Sequence, residues 1–562
     1  MCGIFFSLSR DDREFLDFKT KRLLEHRGPD SIRGHSTLFG QGDGRFYATL
    51  WSSVLSLRGN KIEEQPVVHI PSGDVLCWNG EAWSSQGMDI IDNDSSYMLY
   101  NLMMPAMPLE AERTRQAVAS ATIRTLSSVR GPFAFVFYDA ENRFLYYGRD
   151  CLGRRSLLQK VTTDDQLILS SVCDNSSGEK WKEIDADGIY MVDLDYPDLK
   201  HSIAAATTHI PRRRGGELDD PFPSLNLSVD SRLEDLHSHP SQVLDALRKS
   251  VKVRTERVRR AVKYVEDPHR TKEEARIAIL FSGGLDCTIL AKLVHECLPP
   301  EQSIDLLNVA FENPRIHNNL DTGVSPYELC PDRITGRSSF AELLTVCPGR
   351  LWRFVAINVP YKDTKKHREM VKRLMHPHNT EMDLSISYAL YFASKASGMV
   401  HDSSGERAYT STARVLLSGL GADELFGGYQ RHATAYSRRG YDGLLDELWL
   451  DFSRLGKRNL GRDDRVISDS GREVRFPYLD ENFISLVLQL PVRSKCDFGQ
   501  PETTTSDDPF QFLEPGKRLL RVAAWFLGMK KVAAEKKRAI QFGARTAKME
   551  TGKTKGTQVL LD

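Results

Sequence analysis

The pattern of hydrophobic and polar positions changes near residue 195. Before that point, short runs of apolar residues are separated by turn residues, with no long helical stretches between them. Such runs predict strands of a mainly antiparallel sheet. The predicted strands are residues 3–8, 47–57, 67–70, 75–78, 133–138, 143–147 and 167–171.

Beyond residue 240, apolar strands alternate with helical patterns. Apolar positions in 241–265 have helical spacing behind Ser241, which is typical of a helix start. The alternation predicts an α/β unit with a doubly wound parallel sheet. The predicted strands are 277–281, 304–311, 351–359 and 415–418, and the predicted helices are 285–298, 363–375 and 382–397.

This change of pattern divides the chain. A length of 562 residues is too great for one ordinary core. We predict a first domain at 1–195 and a linker at 196–240, which is dense in proline, glycine and charge. A second domain at 241–545 and a basic, disordered tail at 546–562 complete the prediction.

Charge and cysteine content narrow the function classes. Seventy-six basic residues balance 76 acidic ones, so no nucleic-acid or membrane partner is predicted. The nine cysteines form no CxxC pair, which argues against a disulfide framework or a structural zinc site. The first residues lack the basic start and long apolar run of a secretory signal, and no run is long enough to span a membrane. We therefore expect a reduced, cytoplasmic protein.

The first candidate for chemistry is Cys2, which follows the initiator methionine. If Met1 is removed, Cys2 carries both a thiol and an α-amino group that can take the thiol proton. Such a self-contained nucleophile is suited to attack on a carboxamide. The alternative is a small buried cysteine with no chemical role.

Several separated motifs accompany Cys2 in a fixed order. They are Arg27-Gly28-Pro29-Asp30, Gln65-Pro66, Trp78-Asn79-Gly80-Glu81 and Asn93-Asp94. Together they resemble the class II glutamine amidotransferases found in asparagine synthetases. The resemblance implies an α+β N-terminal-nucleophile hydrolase fold, in which antiparallel sheets are sandwiched by helices.

The same resemblance assigns roles to individual residues. Cys2 would be the nucleophile, and the Asn79 side chain and Gly80 amide would form the oxyanion hole. Asp94 would bind the glutamine α-ammonium, and Glu81 would lie beside the pocket. An Asn-Gly pair is also a common turn, which is the alternative for these two residues.

This chain departs from the family at the α-carboxylate clamp. The family has an arginine eleven residues before Gln-Pro, where this chain has Val54. A charge-assisted pair of this kind contributes about 1.5–3 kcal/mol. Arg58, four residues further on, is the candidate substitute in glutamine binding, and it would need a bulge to take the place of position 54.

The second candidate is Ser282-Gly283-Gly284-Leu285-Asp286, between a predicted strand and a predicted helix. Glycines let the backbone approach a phosphate, and a helix N-terminus attracts negative charge. Asp286 can hold Mg²⁺ on a pyrophosphate. A Ser-Gly-Gly sequence also serves as a plain turn, and no Walker motif is present.

Later motifs strengthen this interpretation. The stretches 418–429 (SGLGADELFGGY), 475–480 (RFPYLD) and 517–521 (KRLLR) follow in order. With the glycine loop, they resemble the asparagine synthase domain, an adenine-nucleotide α-hydrolase fold. The resemblance implies ATP and Mg²⁺ as cofactors. It assigns ATP binding to Ser282, Gly283, Gly284, Asp286, Val309, Ser418 and Gly419.

Metal and charge roles follow from the same resemblance. Asp286 and Asp423 would serve the metal, and Lys517 would stabilise negative charge as the adenylate forms; otherwise Lys517 is a solvated helix lysine. Cys287 replaces the family's usual serine, and both side chains can donate weakly. Leu420 replaces a glutamate that approaches the acyl-adenylate, and the loss of a general base usually costs about 10²–10⁴ in rate.

Three hypotheses stay open. In the first, aspartate is activated by ATP and amidated with ammonia from glutamine. In the second, the ATP chemistry persists with another carboxylate acceptor or with free ammonia, because Val54 and Leu420 differ from the family. In the third, the chain is a non-catalytic nucleotide-binding or interaction module. The expected partners are glutamine, aspartate and ATP, and a homodimer is the assembly to consider.

Overall fold

The computed structural model describes residues 2–10, 16–39, 45–107, 112–162, 164–175, 180–199, 201–229, 233–259, 274–402, 405–500, 508–549 and 555–560. The strands in these ranges are β1 Gly3–Ser9, β2 Ser31–Phe39, β3 Phe46–Val54, β4 Val67–His69, β5 Asp74–Gly80, β6 Ser84–Ser85, β7 Met88–Asp89, β8 Phe133–Asp139, β9 Phe144–Arg149, β10 Leu158–Val161, β11 Leu167–Ser170, β12 Lys182–Glu183, β13 Gly188–Asp193, β14 Thr207–Pro211, β15 Ala275–Leu280, β16 Ser303–Phe311, β17 Trp352–Val359, β18 Ser397–Asp402, β19 Gly405–Thr410, β20 Val415–Leu417 and β21 Glu473–Arg475.

The helices are α1 Phe18–Arg27, α2 Asp94–Met103, α3 Arg115–Ser128, α4 Leu233–Thr255, α5 Leu285–Cys297, α6 Pro314–His317, α7 Pro331–Val346, α8 Tyr361–Lys366, α9 Arg368–Met375, α10 Glu381–Lys395, α11 Ala422–Phe426, α12 Gln430–Ser453, α13 Leu455–Arg458, α14 Leu460–Ser468, α15 Glu481–Gln489, α16 Val492–Lys495, α17 Pro509–Phe512, α18 Arg518–Phe526, α19 Lys530–Ala534 and α20 Ile540–Gly543. A 3-10 helix covers Pro477–Leu479. Within the described ranges, no helix is both long and apolar enough to cross a membrane.

The chain forms two compact units. The first unit comprises residues 1–221, 372–378 and 455–472, and the second comprises 222–371, 379–454 and 473–562. The predicted boundaries differ from this division, because 372–378 and 455–472 lie inside the predicted second domain. The predicted linker contains β14 and the start of α4.

The first unit is built on two six-stranded antiparallel sheets. Their strand orders are β12-β10-β11-β1-β3-β2 and β14-β13-β9-β8-β5-β4. One apolar cluster joins the sheets: Ile4 and Leu50 of the first pack with Val75 and Val136 of the second. Alternating side chains in a strand point to opposite faces, so the second sheet is left with another apolar face.

Helices cover the faces of the sheets that are turned away from this cluster. Trp78 and Phe135 of the second sheet pack against Leu99 of α2 and Ile123 of α3. Helix α1 contacts β1 and β3 of the first sheet. The layers therefore follow the predicted α+β architecture of sheets between helices.

The second unit contains a seven-stranded sheet of order β19-β18-β17-β16-β15-β20-β21. The five strands from β17 to β21 in this order are parallel, as predicted. The predicted parallel sheet carries an antiparallel addition at one edge, where the hairpin β18–β19 pairs with β17. This hairpin lies in 397–410, where no strand was predicted.

The predicted tail is only partly described. Residues 550–554, 561 and 562 lie outside the described residues. In the remainder, Val559 forms a β-bridge with Thr380, and the Leu560 amide donates to the Asn379 carbonyl at 2.7 Å. These contacts give the described end of the chain a defined path, so the prediction of disorder does not hold for residues 559 and 560.

Candidate active sites

The Cys2 thiol lies at the start of β1 and is buried, with 9% of the residue exposed. The Gln65 side-chain amide donates toward Cys2 Sγ at 3.8 Å and to Ser95 Oγ at 3.0 Å. The Gln65 carbonyl accepts from the Trp78 amide at 2.7 Å. Gln65 therefore ties the nucleophile candidate to β5, in which Trp78 immediately precedes Asn79.

Arg27, the last residue of α1, fixes the backbone of Cys2. Its Nε donates to the Cys2 carbonyl at 3.2 Å. The two remaining guanidinium nitrogens bind α14, with Nη1 donating to Ser468 Oγ at 2.6 Å and Nη2 lying 2.8 Å from Asp464 Oδ2. A helix distant in sequence thus orients the arginine that holds the nucleophile residue.

Asn79 and Gly80 are the last two residues of β5. The Asn79 Nδ2 and Oδ1 atoms are buried, and neither has a hydrogen-bond partner in the part of the chain that the structure describes. A buried unsatisfied amide is costly, so such a group points to a ligand. Gly80 has φ of +155°, and a Cβ there would lie 2.1 Å from the Pro132 carbonyl oxygen. Position 80 therefore requires glycine.

Arg58 and Glu81 form a buried ion pair. Arg58 Nη1 lies 3.1 Å from Glu81 Oε2 and donates to the Ala82 carbonyl at 2.9 Å. Arg58 Nη2 donates to the Ile90 carbonyl. No bulge carries Arg58 to position 54, because β3 ends at Val54 and the chain continues irregularly. The predicted bulge does not form between Val54 and Arg58. Arg58 instead lies beside Glu81, the residue that follows Gly80.

Asp94 is the first residue of α2 and is also buried. Its Oδ2 accepts from the Trp78 indole at 2.9 Å and from the Ala82 amide at 2.7 Å. Burial raises the pKa of Asp94, and the charge of Arg58 together with these hydrogen bonds offsets that rise only in part. Its predicted role toward an α-ammonium stays a prediction.

The glycine loop of the second unit lies where the strand order reverses. Ser282 and Gly283 follow β15, Ser418 and Gly419 follow β20, and these two strands are adjacent and parallel. Ligands of doubly wound sheets bind at such a switch point, outside the carboxyl ends of the strands. Val309 belongs to the neighbouring strand β16 and is buried.

Close backbone approaches explain the glycines in these loops. Gly283 has φ of +82°, and a Cβ there would lie 2.4 Å from the backbone of Gly336 in α7. A Cβ on Gly419 would lie 2.9 Å from the Cβ of Asp286. The structure therefore brings the two loops into contact at Asp286, which is in the first turn of α5.

Two lysines and two aspartates form a charged cluster beside this loop. Lys517 Nζ lies 2.8 Å from Asp286 Oδ2 and 3.0 Å from Asp423 Oδ1. Lys537 Nζ lies 2.6 Å from Asp423 Oδ2. Lys517 is 3% exposed, so the alternative of a solvated helix lysine does not describe it.

The charge states of this cluster follow from its partners. Burial disfavours the Lys517 ammonium, but the carboxylates of Asp286 and Asp423 outweigh burial and raise the pKa of Lys517. Burial also opposes ionisation of Asp423, but the two lysines lower its pKa below the usual range. Burial raises the pKa of Asp286, and the charge of Asp423 raises it further. The Lys517 ammonium lowers this pKa but does not cancel the rise. Lys517 is thus held as a cation between the aspartates.

The acidic part of the cluster fits Mg²⁺. This ion prefers oxygen ligands and is usually held by one or two carboxylates together with phosphate oxygens. Asp286 and Asp423 supply two carboxylates that share the Lys517 ammonium. Replacing that shared ammonium by a metal ion would leave Lys517 available to a phosphate.

The two departures from the family differ in consequence. The Cys287 thiol donates to the Gly284 carbonyl at 3.3 Å, and burial raises the pKa of this thiol. The cysteine thus donates a hydrogen bond at this position, as expected of either side chain. Leu420 is half-buried, and its backbone amide donates to Ser418 Oγ at 3.3 Å. Its side chain brings no acid or base to the loop.

The structure adds four residues to which sequence reasoning gave no role. Gln65, Arg27 and Tyr478 lie in motifs that carry the resemblance, and the Tyr478 hydroxyl donates to the Asp286 carbonyl at 3.1 Å. Lys537 lies outside every motif, so its position beside Asp423 could come only from the fold.

Comparison with known proteins agrees with this arrangement. The sequence profile of the asparagine synthase family matches residues 404–446 and 436–556. A glutamine-hydrolysing asparagine synthetase of Gallus gallus is 24% identical over 87% of this chain and 77% of its own length. Fold, loops and relatives together define an amidotransferase-like ligase.

Two relatives are more similar. Asparagine synthetase domain-containing protein 1 of Bos taurus is 32% identical over 99% of this chain and 97% of its own length. Asparagine synthetase domain-containing protein YML096W of Saccharomyces cerevisiae is 35% identical over 92% of this chain and 87% of its own length. The chain belongs to the family of asparagine synthetase domain-containing protein 1, and the resemblance predicted from the motifs is confirmed.

Proposed function

We propose that this protein is an ATP-dependent amidotransferase that transfers ammonia from a carboxamide to an activated carboxylate. The first substrates to test are glutamine, aspartate and ATP, which would give asparagine. The observation that carries the proposal is the Lys517 ammonium, shared by Asp286 and Asp423 beside the glycine loop. A buried cation at a switch point can stabilise the negative charge of a polyphosphate while it is bound and cleaved.

In the first unit, the Cys2 thiol would attack the carboxamide carbon. Its proton would pass to the α-amino group exposed by removal of Met1, the carbon–nitrogen bond would break, and ammonia would leave. Water would then hydrolyse the thioester and restore the thiol. The Asn79 amide would stabilise the oxyanion, and Arg27 would hold the backbone of Cys2.

In the second unit, the carboxylate would attack the α-phosphorus of ATP and release pyrophosphate. Ammonia would then attack the carbonyl carbon of the acyl-adenylate, forming the amide and releasing AMP. Ser282, Gly283, Gly284, Ser418 and Gly419 would surround the nucleotide, with Val309 near the adenine. Asp286 and Asp423 would hold Mg²⁺, which neutralises charge on phosphate oxygens when bound. Lys517 would stay protonated and stabilise the negative charge that develops.

One observation favours a second candidate, the same chemistry with another carboxylate acceptor. Leu420 places an apolar side chain on the loop after β20. An apolar residue cannot serve as a general base for incoming ammonia. A screen of carboxylates that follows AMP release distinguishes the two candidates, and a response to aspartate alone favours asparagine formation.

The central test uses full-length protein whose N-terminus has been checked by mass spectrometry. We expect AMP and pyrophosphate to form from Mg-ATP in the presence of a carboxylate acceptor and an ammonia source, and we expect the Lys517→Met variant to lose this activity. Cys2→Ala should retain AMP formation with added ammonia and lose it with an amide donor. Wild-type protein that neither binds ATP nor forms AMP with any carboxylate would contradict the proposal.

A further inference from the structure

Free glutamine brings two charges to an active site, an α-ammonium and an α-carboxylate. A protein that recognises both charges needs an acidic group and a basic group with bonding capacity left for the ligand. The bonding partners of the charged groups at the candidate site therefore indicate which kind of amide the site accepts.

Both acidic groups of the site have protein partners, Glu81 as an ion pair and Asp94 through one of its two carboxylate oxygens. Glu81 is paired with Arg58 at 3.1 Å, and both side chains are about as buried as core residues. Asp94 holds the Trp78 indole and the Ala82 amide through Oδ2. Burial also raises the pKa of Asp94, which weakens it as a partner for a cation.

The basic groups are engaged in the same way. The Arg58 guanidinium binds Glu81 and the carbonyls of Ala82 and Ile90, and it lies over the Trp83 ring at 5.5 Å. Arg27 binds Asp464 and Ser468. Removing a partner from a buried ion pair is strongly unfavourable, so a charged ligand would have to offset that cost before it gained affinity.

The neutral polar groups differ from the charged ones. Both polar atoms of the Asn79 side chain are buried without a hydrogen-bond partner in the described ranges. The Gln65 amide lies 3.8 Å from the Cys2 sulfur. The neutral Asn79 side chain thus has bonding capacity left for a carboxamide, whereas the ionic groups already have protein partners.

We infer that the amide donor of Cys2 is a carboxamide without a free α-ammonium and α-carboxylate, such as a glutamine side chain within a peptide. This inference rests on the proposed hydrolytic role of Cys2. The inference specifies the class of amide from which Cys2 would release ammonia. The thiol attacks the carboxamide carbon, ammonia leaves with the transferred proton, and water releases the matching carboxylic acid.

The experiment compares two donors on full-length, N-terminally processed protein. The probes are free L-glutamine and Nα-acetyl-L-glutamine amide, which has the same side chain without the α-charges. Ammonia release gives kcat/KM for each, and protection of Cys2 from iodoacetamide gives binding. We expect the capped amide to exceed glutamine in kcat/KM by about tenfold or more. A smaller ratio, or a preference for glutamine, overturns the inference and leaves the proposed function intact.

A different result would test the proposed function itself. If Cys2 reacts with iodoacetamide but neither amide is hydrolysed or protects it, the hydrolytic role fails and the inference fails with it. Cys2→Ala identifies the labelled residue in this measurement.

A variant pair tests the structural cause. Glu81→Gln keeps the shape of the side chain and releases the Arg58 guanidinium from its charged partner. We expect the ratio of kcat/KM for the capped amide to that for glutamine to fall several-fold, because Arg58 can then bind an α-carboxylate. Glu64→Gln removes a carboxylate from an exposed ion pair with Arg33 and should leave the ratio unchanged. A ratio that Glu81→Gln does not move would overturn the assignment.

Discussion

The Gln65 side-chain amide donates toward the Cys2 sulfur at 3.8 Å while its carbonyl holds the Trp78 amide at 2.7 Å. One neutral side chain thus links the nucleophile candidate to the strand that ends in Asn79 and Gly80. Such a link positions the sulfur relative to the oxyanion donors, and small displacements of reacting atoms have large effects on rate.

Gln65→Glu tests this link with little change of shape. A carboxylate beside the sulfur opposes the thiolate, so we expect iodoacetamide to alkylate Cys2 about tenfold more slowly at neutral pH. The rate is measured by mass spectrometry across a pH series. It requires no substrate turnover, so it reports on the thiol alone.

Gln116→Glu is the matched control, since Gln116 is exposed on α3 in the same unit. Gln116→Glu adds the same negative charge at a position to which no role in the site is assigned. It should therefore leave the alkylation rate of Cys2 unchanged. Equal rates for wild type and Gln65→Glu would show that the Gln65 amide does not influence the thiol.

Sequence reasoning placed seven of the twelve strands of the first unit's two sheets near their observed positions, because most of these strands carry buried apolar runs. It missed β2, β10, β12, β13 and β14. Most described side chains of β2 are wholly or partly exposed, and the strand lies at a sheet edge, so its pattern is weak. The glycine loop and its switch point could be predicted, since glycine, strand and helix signals coincide there.

The contribution of α14 to the first unit could not be predicted. Its sequence, LGRDDRVIS, reads as a solvated charged helix, yet every residue in it is buried. Burial is possible because its charges find partners distant in sequence: Asp464 binds Arg27, and Arg465 lies 2.7 Å from Glu183. Composition cannot reveal such partners, and the same holds for Lys537 beside Asp423.

Asp464→Ala should strongly destabilise the first unit. Asp464 and Arg27 are almost fully buried, and Asp464 Oδ2 also accepts from the Ser156 amide at 3.1 Å. Removing the carboxylate leaves a buried guanidinium without its charge partner, which usually costs about 3–5 kcal/mol. Hydrogen exchange of amides in β1 and β3 measures the loss within the first unit, which suits a chain that forms two compact units.

Asp185→Ala supplies the comparison, because Asp185 forms an exposed ion pair with Lys457 at 3.2 Å in the same unit. Exposed pairs contribute about 0–1 kcal/mol. Similar exchange rates in the two variants would contradict a structural role for the Arg27–Asp464 pair.

Lys537→Ala tests the cation that no motif indicated. Lys537 is one of two lysines on Asp423. Removal of Lys537 should weaken binding of a fluorescent ATP analogue. The value of kcat/KM for AMP formation should fall about tenfold, because this is the lower end of what a charge-assisted hydrogen bond contributes. Lys536→Ala removes an exposed neighbouring charge and should leave both values unchanged. Equal losses in the two variants would indicate a general charge effect rather than contact with the nucleotide.

We expect Lys495 to give the second unit a pH-dependent stability. It is 1% exposed, and burial lowers its pKa from the ordinary value of 10.5 to about 8, with the Cys496 thiol as a neighbouring titratable group that partly opposes the change. Between these two values the unfolded chain binds more protons than the folded one, so stability rises with pH across that window. The difference amounts to about 3 kcal/mol, and below pH 8 the folded unit carries the full cost of the buried ammonium.

Lys495→Met removes this cost. Methionine has a similar length and no charge, so we expect the second unit to gain about 1–3 kcal/mol at pH 7 and to lose the rise in stability above pH 8. Hydrogen exchange of amides in α15 and α18 at pH 7 and pH 9 measures both effects. Lys249→Met, at an exposed position on α4, should keep the pH dependence of the wild type. If Lys495→Met destabilises the unit at pH 7, the ammonium has stabilising partners that outweigh its burial, and the expected sign is wrong.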